Sequence, residues 1–275
     1  MKRLSIFCIF LLISITVMTA CKKDTPTPDN SNNNTENPSD DPGSDDSDYP
    51  STAIVISNAV TDYDGNHYDA VKIGDQVWMA KNLRTKHYAD GTFITAGATG
   101  TINFRFAPNN DEENVPEYGY LYSWAVAMNY ENSSNANPSG VQGVCPNGWH
   151  LPSEAEWAQL TNYMKSQSIY HPDGHPEYIA KALAATWGWN EGYNTYAVGF
   201  NQSTNNASGF SALPAGECSM GLCIGFGNHA SFWSSTTYPE LNDYAYLFNL
   251  QNLQEMAACG NGNKSIACSV RCVRD

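Results

Sequence analysis

Basic residues are scarce in this chain of 275 residues, which has 14 Lys and Arg against 28 Asp and Glu and a formal net charge of −14. Within residues 50–275 the counts are 10 and 20. Proteins that bind nucleic acid or anionic lipid non-specifically need clustered positive charge, and the sequence contains no basic cluster. We therefore expect no nucleic-acid partner.

Long apolar runs are also missing, apart from one near the N-terminus. Lys2 and Arg3 precede an apolar stretch, residues 4–18, that is too short to span a bilayer comfortably and is flanked like a secretory signal. The sequence then reaches Ala20 and Cys21, and this junction resembles the lipobox of bacterial lipoproteins, in which the cysteine is acylated. The alternative is an ordinary signal peptide cleaved near Ala20. Both interpretations predict an exported protein with a signal peptide at residues 1–20.

Aliphatic side chains are absent from residues 25–49, which consist mainly of Asn, Asp, Ser, Pro and Thr. Such a segment cannot bury enough apolar surface to offset the ordering of its backbone, so residues 21–50 are predicted to be a lipidated cysteine followed by a disordered linker. The linker would span roughly 30 Å. The KKD sequence after Cys21 resembles the signal of Bacteroidetes surface lipoproteins, so we expect a lipid anchor in the outer membrane and display at the cell surface.

Residues 51–275 are predicted to form a single domain of ordinary size. Six of the eight cysteines lie in it, and an even number in an exported protein favours disulfides over metal thiolates. Six cysteines allow 15 pairings, and their spacing does not choose among them. They are Cys145, Cys218, Cys223, Cys259, Cys268 and Cys272.

Strand patterns occur at both ends of this domain and helical patterns occur between them, which predicts an α+β fold with a loop-rich middle at residues 184–227. A strand is predicted at residues 53–57, followed by a hairpin with Asp62, Asp64, Gly65 and Asn66 at its turn. The same residues permit a calcium-loop interpretation. However, Gly65 is at the fourth position rather than the sixth and no closing glutamate follows, so the hairpin is favoured.

Three helices are predicted. Leu121, Trp124, Ala125 and Met128 recur with helical spacing within residues 117–130. Ser153 and Glu156 form a capping box before a second helix, whose buried stripe contains Trp157, Leu160 and Met164. A third, shorter helix is predicted to start near Pro176, with Ile179, Ala182 and Leu183 facing inward.

Six sequence blocks, in order, resemble the Fibrobacter succinogenes major paralogous domain family, whose members are secreted and lipid-anchored bacterial proteins. The blocks extend over residues 59–275, and the resemblance implies no established activity. They are VKIGDQVWMAKNLRTKHYADGTFI, YGYLYSWAVAMN, GVCPNGWHLPSEAEW, SGFSALPAGE, FWSSTTY and SVRCVRD.

A more distant resemblance concerns the fold. SWAVAMN, GWHLPSEAEW and VRCVR are similar to blocks of formylglycine-generating-enzyme-like domains, which implies a C-type-lectin-like fold. In such folds a cysteine near a helix is bridged to one in the last strand. The resemblance therefore implies a Cys145–Cys272 disulfide, with Cys259–Cys268 and Cys218–Cys223 closing local loops.

Two candidate enzymatic sites have alternative interpretations. His171, His175 and Glu177 resemble the iron-binding triad of sulfoxide synthases, but the intervening Pro and Gly residues disfavour the helix that such a triad requires. Cys218 and Cys223 resemble the cysteine pair of formylglycine-generating enzymes, but the surrounding sequence has no Arg or Lys to lower a thiol pKa. We expect no metal or other cofactor. His150 is predicted to be a satisfied, half-buried residue.

Aromatic and amide side chains remain as the main functional signal. Aromatic faces with neighbouring amides suit stacking against sugar rings or a protein interface. We therefore expect a non-catalytic surface module that binds a glycan or protein ligand through residues 186–228; the alternative is an enzyme of the formylglycine-generating or sulfoxide-synthase type. The candidate ligand-binding residues are Trp187, Trp189, Tyr193, Tyr196, Asn228 and His229, although Trp187 and Trp189 also fit a core position.

Overall fold

The computed structural model describes residues 53–98, 100 and 103–275. The predicted signal peptide, Cys21 and the linker lie outside these residues. No helix in the described part of the chain is long and apolar enough to cross a membrane.

The strands are β1 (Ile54–Thr61), β2 (His67–Ile73), β3 (Gln76–Met79), β4 (Arg105–Phe106), β5 (Leu121–Ser123), β6 (Trp149–His150), β7 (Glu217–Ser219), β8 (Leu222–Ile224), β9 (His229–Thr237), β10 (Tyr244–Gln251), β11 (Ala258–Asn263), β12 (Ile266–Cys268) and β13 (Val273–Arg274).

The helices are few and mostly short: α1 (Val115–Tyr118), α2 (Trp124–Ala127), α3 (Glu154–Ser166) and α4 (Ala180–Leu183). Short 3₁₀ turns occupy Pro108–Asn110, Glu112–Asn114, Ser168–Tyr170 and Gln202–Thr204. Strands predominate at both ends of the described region and helices lie between them. The fold is therefore α+β, as predicted.

Three antiparallel sheets organise the domain, in the orders β1-β2-β3-β13-β6, β11-β10-β9 and β4-β5-β12-β7-β8. The last strand, β13, pairs with β3 through Val273 and Trp78 and with β6 through Val273 and His150. A Cys145–Cys272 disulfide with an S–S distance of 2.07 Å fastens the same region across 127 residues of sequence. The two ends of the domain therefore meet in one sheet.

The β1–β2 hairpin is confirmed. Its turn closes with hydrogen bonds from Asp62 N to Asn66 O (3.0 Å) and from Gly65 N to Asp62 O (3.1 Å). The Asp62 carboxylate accepts hydrogen bonds from the Asn66 backbone N–H and, at 2.6 Å, from the Tyr68 hydroxyl. These donors satisfy a carboxylate that would otherwise be costly to bury.

The helix predicted within residues 117–130 is wrong. The helix α1 ends at Tyr118. The next residue, Gly119, has a φ of +73° that suits glycine, and a Cβ there would lie 2.7 Å from Leu83 O. Tyr120 N–H then donates to the same carbonyl, and Leu121 starts β5. The apolar residues matched the i, i+3, i+4 spacing of a helix because strand β5 and the single-turn helix α2, which follow each other, both bury apolar side chains.

The second predicted helix is α3, and its capping box is confirmed. The Ser153 side chain accepts from Glu156 N–H, and the Glu156 carboxylate accepts from Ser153 N–H at 2.9 Å. Trp157, Leu160 and Met164 are buried as predicted. Trp157 stacks on Phe248 of β10 with ring centroids 4.6 Å apart, so α3 packs on the three-stranded sheet.

The third predicted helix is shorter than expected, because α4 starts at Ala180 rather than near Pro176. The preceding residues form turns, with His175 N–H bonded to Pro172 O and Tyr178 N–H bonded to His175 O. Ile179, Ala182 and Leu183 are buried as predicted.

Two of the three implied disulfides are present: Cys145–Cys272, and Cys218–Cys223 across the β7–β8 hairpin. The implied Cys259–Cys268 bridge is wrong, because both cysteines are free. Cys259 is in β11 and packs against the core cluster around Trp157, whereas Cys268 is in β12 of another sheet and belongs to the cluster around Trp233. Burial raises the pKa of the Cys259 thiol to about 12 and that of Cys268 well above its usual value.

Candidate functional site

The predicted ligand-binding residues do not converge on one site. Trp187 lines a small cleft of about 100 Å³, Tyr196 lines a second cavity of about 260 Å³, and His229 lines a third of about 370 Å³. Tyr193 is 90% exposed and makes no ring contact within the described residues. The structure thus offers three surfaces instead of one.

The two tryptophans differ in accessibility. Trp189 is only 5% exposed and belongs to the core cluster that contains Trp157, so its ring cannot stack on a ligand and it is removed from the candidate set. Trp187 is 45% exposed and meets Tyr118 edge to face, with ring centroids 5.6 Å apart. The cleft beside Trp187 is small, which limits the ligand area that it can cover.

Asn228 and His229 lie at the start of β9. Asn228 Oδ1 accepts a 2.9 Å hydrogen bond from Asn190 Nδ2, which joins two loops. His229 Nε2 is 3.7 Å from Glu217 Oε2, and its ring lies directly against Gly225, where a Cβ would be 1.9 Å from His229 Cε1. Asn228 therefore holds two neighbouring loops together, whereas the buried His229 Nε2 has no hydrogen-bond partner within the described residues.

The cavity that contains Tyr196 has the most aromatic wall, and we call it the aromatic cleft. The His175 and Tyr178 rings are stacked with centroids 4.6 Å apart and planes only 4° apart, and Tyr196 lies 5.7 Å from Tyr178. Tyr196 is 38% exposed, so its ring is available from solvent. The cleft is lined by Ile169, Tyr170, His171, Pro172, Tyr178, Lys181, Ala182, Thr195, Tyr196, Thr204 and Ala207.

Two chain segments form the aromatic cleft, and a partly buried lysine joins them. The first segment turns at Gly174 (φ +79°) and then enters α4. Lys181 in α4 reaches the second segment, where its Nζ donates to the carbonyl oxygens of Ala197 and Phe200. Burial lowers the Lys181 pKa. The lysine therefore fixes the loop that carries Tyr196 against the helix behind Tyr178.

Sequence reasoning missed Tyr170 and Tyr178. Tyr170 ends a 3₁₀ turn and Tyr178 lies between a turn and α4, so neither belongs to a periodic pattern. Their approach to Tyr196 depends on a contact between segments about 20 residues apart. The one available signal was the high aromatic content of residues 170–178 beside two histidines.

The triad of His171, His175 and Glu177 does not form a metal site in the structure. His175 Nδ1 is 3.6 Å from Glu177 Oε1, whereas His171 Nδ1 is 3.1 Å from the Pro172 carbonyl oxygen. Within the described residues, no group of three or more His, Cys, Asp or Glu side chains could hold a metal ion. His171 instead faces the aromatic cleft.

His150 is a satisfied residue, as predicted, and it is more deeply buried than expected at 3% exposure. Its Nε2 is 2.7 Å from Glu156 Oε1 and its Nδ1 is 2.7 Å from Asp275 Oδ1. Burial opposes the charged imidazolium, but the hydrogen bonds and charges of the two carboxylates outweigh burial and raise the His150 pKa above its ordinary value. Both ring nitrogens are occupied, which suits a structural role.

Comparison with known proteins identifies the family. No curated protein and no solved structure matches the chain. The family model of the Fibrobacter succinogenes major domain matches residues 71–274, which extends from β2 through β13 and includes the aromatic cleft and the Cys145–Cys272 disulfide. On this match, the chain belongs to the Fibrobacter succinogenes major domain family.

Proposed function

We propose that this protein is a lipoprotein anchored through Cys21 in the bacterial outer membrane, displayed at the cell surface, and that its domain is a non-catalytic module that binds a glycan. The aromatic cleft is the observation that carries the proposal. Its volume of about 260 Å³ suits one or two sugar units better than a protein surface, because standard protein interfaces are broad and bury about 800 Å² on each partner.

The composition of the cleft supports a sugar ligand. Aromatic side chains offer flat apolar faces at low conformational cost, and Tyr178 and Tyr196 provide two such faces with hydroxyl groups at their edges. Thr195 and Thr204 add hydroxyls on the same wall. Ligand sites commonly combine an apolar wall with a few polar groups that fix orientation.

We also infer that the fold is C-type-lectin-like. Two features support this inference: β13 lies between β3 and β6, so that the ends of the domain meet in one sheet, and the Cys145–Cys272 disulfide joins a residue shortly before α3 to one beside β13. A long region with little regular structure, residues 184–216, lies between α4 and β7. Such a region is where folds commonly carry ligand-binding residues.

A glycan array with the soluble domain, followed by calorimetric titration of the best ligand, tests the site. Tyr178→Ala and Tyr196→Ala should each weaken binding by about 2- to 10-fold, because a lost aromatic partner costs about 0.5–1.5 kcal/mol beyond buried area. Tyr130→Ala is the matched control, since Tyr130 is 67% exposed and lies outside the cleft. Trp187→Ala tests the smaller cleft in parallel.

The proposal fails if no glycan binds, or if the two cleft variants bind as tightly as the Tyr130→Ala control. Loss of binding only in Trp187→Ala would move the site to the smaller cleft. Circular dichroism of each variant separates lost binding from lost folding.

The anchor is tested by fractionation. Cys21→Ala removes the acylated thiol, so we expect the variant to leave the membrane fraction or to accumulate uncleaved. Cys259→Ala is a control that removes a free thiol of the domain and should fractionate like the wild type. Unchanged membrane association of Cys21→Ala would disprove the lipid anchor.

A further inference from the structure

A second cavity, which we call the charged cleft, lies where the β1–β2 turn, the segment after β3 and the start of α1 meet. Its volume is about 550 Å³, about twice that of the aromatic cleft. Three separate segments supply its polar wall, so the cleft exists only in the folded domain. The residues that carry the argument are Asp64, Asn66, Arg84, Lys86, Glu112 and Pro116.

The Asp64 carboxylate of this cleft is already satisfied by hydrogen bonds. Asp64 Oδ1 is 2.6 Å from His87 Nδ1, and Asp64 Oδ2 accepts hydrogen bonds from the Thr85 hydroxyl and the Lys86 backbone N–H. Burial by itself would raise the Asp64 pKa, but these hydrogen bonds outweigh burial and lower it. Asp64 therefore stays ionised and has little capacity left for a ligand cation.

Arg84 is held in place by neutral groups. Its Nε donates to Asn66 Oδ1 at 3.1 Å and its Nη1 donates to the Pro116 carbonyl oxygen at 2.7 Å. Neither acceptor carries a charge, and no acidic side chain of the described residues forms an ion pair with this guanidinium. The arginine is thus oriented without being neutralised.

The Lys86 ammonium is on the same wall, and among the described residues it has neither an acidic partner nor a hydrogen bond. This is unusual in a domain whose acidic residues outnumber its basic ones two to one. The two carboxylates of the cleft have other partners, since Asp64 pairs with His87 and Glu112 lies 3.9 Å from Arg105 Nη1. Arg84 and Lys86 are therefore the two charges of this wall that remain available to bind an anion. An arginine already fixed by neutral groups loses little conformational freedom when it binds a carboxylate.

The fourth charged group narrows the chemistry of the ligand. Glu112 is 65% exposed at the edge of the cleft, where it accepts a 2.7 Å hydrogen bond from the Tyr120 hydroxyl and lies 3.9 Å from Arg105 Nη1. An exposed carboxylate there disfavours a dianion such as phosphate more strongly than a monoanion, and it accepts hydrogen bonds from hydroxyl groups. The suitable ligand carries one carboxylate and several hydroxyls, which is the chemistry of an acidic sugar.

We propose that the charged cleft binds a carboxylate-bearing sugar, with its carboxylate on Arg84 and Lys86 and its hydroxyls toward Glu112. This site uses a different surface from the aromatic cleft and goes beyond the function proposed above. An acidic polysaccharide has both sugar rings and carboxylates, so it is a possible ligand of either cleft. Variants in each cleft show which of the two clefts binds it.

The test is calorimetric titration of the folded domain at low salt with trigalacturonate, a hyaluronan tetrasaccharide and sialyllactose. We expect at least one of these acidic sugars to bind. Its methyl ester has nearly the same shape but no negative charge, so it should bind at least about 10-fold more weakly, because it cannot accept charge-assisted hydrogen bonds. Binding should also weaken as salt is raised, because exposed charge pairs are screened.

Four variants locate the site. Lys86→Met should weaken binding about 5-fold, at the upper end for an exposed ion pair, and Lys165→Met, an exposed lysine on α3, should not. Arg84→Met should weaken binding more, although it also removes contacts to Asn66 and Pro116. The Lys86 side chain makes no such hydrogen bond within the described residues, so Lys86→Met is the decisive variant. Tyr178→Ala should leave this binding unchanged.

Five results would overturn the proposal. The first four are no binding of any of the three acidic sugars, equal binding of the ester, unchanged binding in Lys86→Met, and equally tight binding of inorganic phosphate. Loss of binding in Tyr178→Ala would assign the acidic ligand to the aromatic cleft instead. That result would contradict the charged cleft while leaving the proposed function intact.

Discussion

At the scale of single residues, Arg271 shows how this domain accommodates a charge in its interior. The side chain is fully buried. It donates to Asn82 Oδ1 at 2.7 Å, to Met79 O at 3.0 Å and to Ser211 O at 2.7 Å, and its guanidinium lies 4.5 Å from the centre of the Phe210 ring. Carbonyl oxygens and an aromatic face thus replace water around the cation. One residue of the SVRCVRD block therefore joins β3, the central loops and the end of the chain.

His150 leads to a prediction on pH. Because its pKa is raised in the folded protein, the charged imidazolium is favoured by folding. Its contribution to stability is complete below the unfolded pKa, near 6.5, and is lost as pH rises through the higher folded pKa. We expect the melting temperature to fall above pH 6.5 in the wild type and to fall less in His150→Gln.

Differential scanning fluorimetry from pH 5.5 to 8.5 measures this effect. His67→Gln is the matched control, because His67 is exposed and its ring Nδ1 is hydrogen-bonded to the Thr61 hydroxyl rather than to a carboxylate. Identical pH profiles for His150→Gln and the wild type would show that the bonds to Glu156 and Asp275 do not stabilise the charged ring.

At the scale of elements, α3 is the one long helix in the described part of the chain, and its N-terminus is densely hydrogen-bonded. The Glu156 carboxylate accepts from the backbone N–H groups of Ser153 and Ser139 and also contacts His150. The Ser153 hydroxyl donates to the Ala136 carbonyl oxygen at 2.7 Å. The capping box therefore also anchors the loop before α3.

Ser153→Ala should destabilise the domain by about 1–2 kcal/mol, because it removes an N-cap acceptor and leaves the Ala136 carbonyl without its donor. Urea unfolding followed by tryptophan fluorescence measures the change. Ser166→Ala at the exposed C-terminal end of α3 is the control and should change stability by less than about 0.5 kcal/mol. A Ser153→Ala effect as small as the control would contradict the capping role.

Elements specified by local signals were predictable, and those specified by distant contacts were not. Ser153 and Glu156 lie three residues apart, so the start of α3 could be read from the sequence. The end of the helix at Gly119 depends on the Leu83 carbonyl, 36 residues earlier. A periodic sequence pattern does not contain that information. The two clefts have the same origin, since Tyr178 and Tyr196, like Arg84 and Glu112, line one cavity only after folding.

At the scale of the whole molecule, the Cys145–Cys272 disulfide closes a loop of 127 residues. In the chain-entropy model a loop of this length stabilises the folded state by on the order of 4–5 kcal/mol. The double variant Cys145→Ala/Cys272→Ala should lose about that amount in urea unfolding. Cys218→Ala/Cys223→Ala opens a loop with a separation of 5 and should lose only about 2 kcal/mol. Equal losses would contradict the dependence on loop length.

The position of β13 has a consequence for the biogenesis of the protein. Strand β3 is made early, but its neighbour β13 contains almost the last residues of the domain. The sheet that contains β3 and β13 therefore cannot be completed while the chain is still emerging from the ribosome, and pairing across so long a separation is slow. For the exported lipoprotein proposed above, this delay would favour translocation as an extended chain, because the sheet closes only after β13 has been delivered.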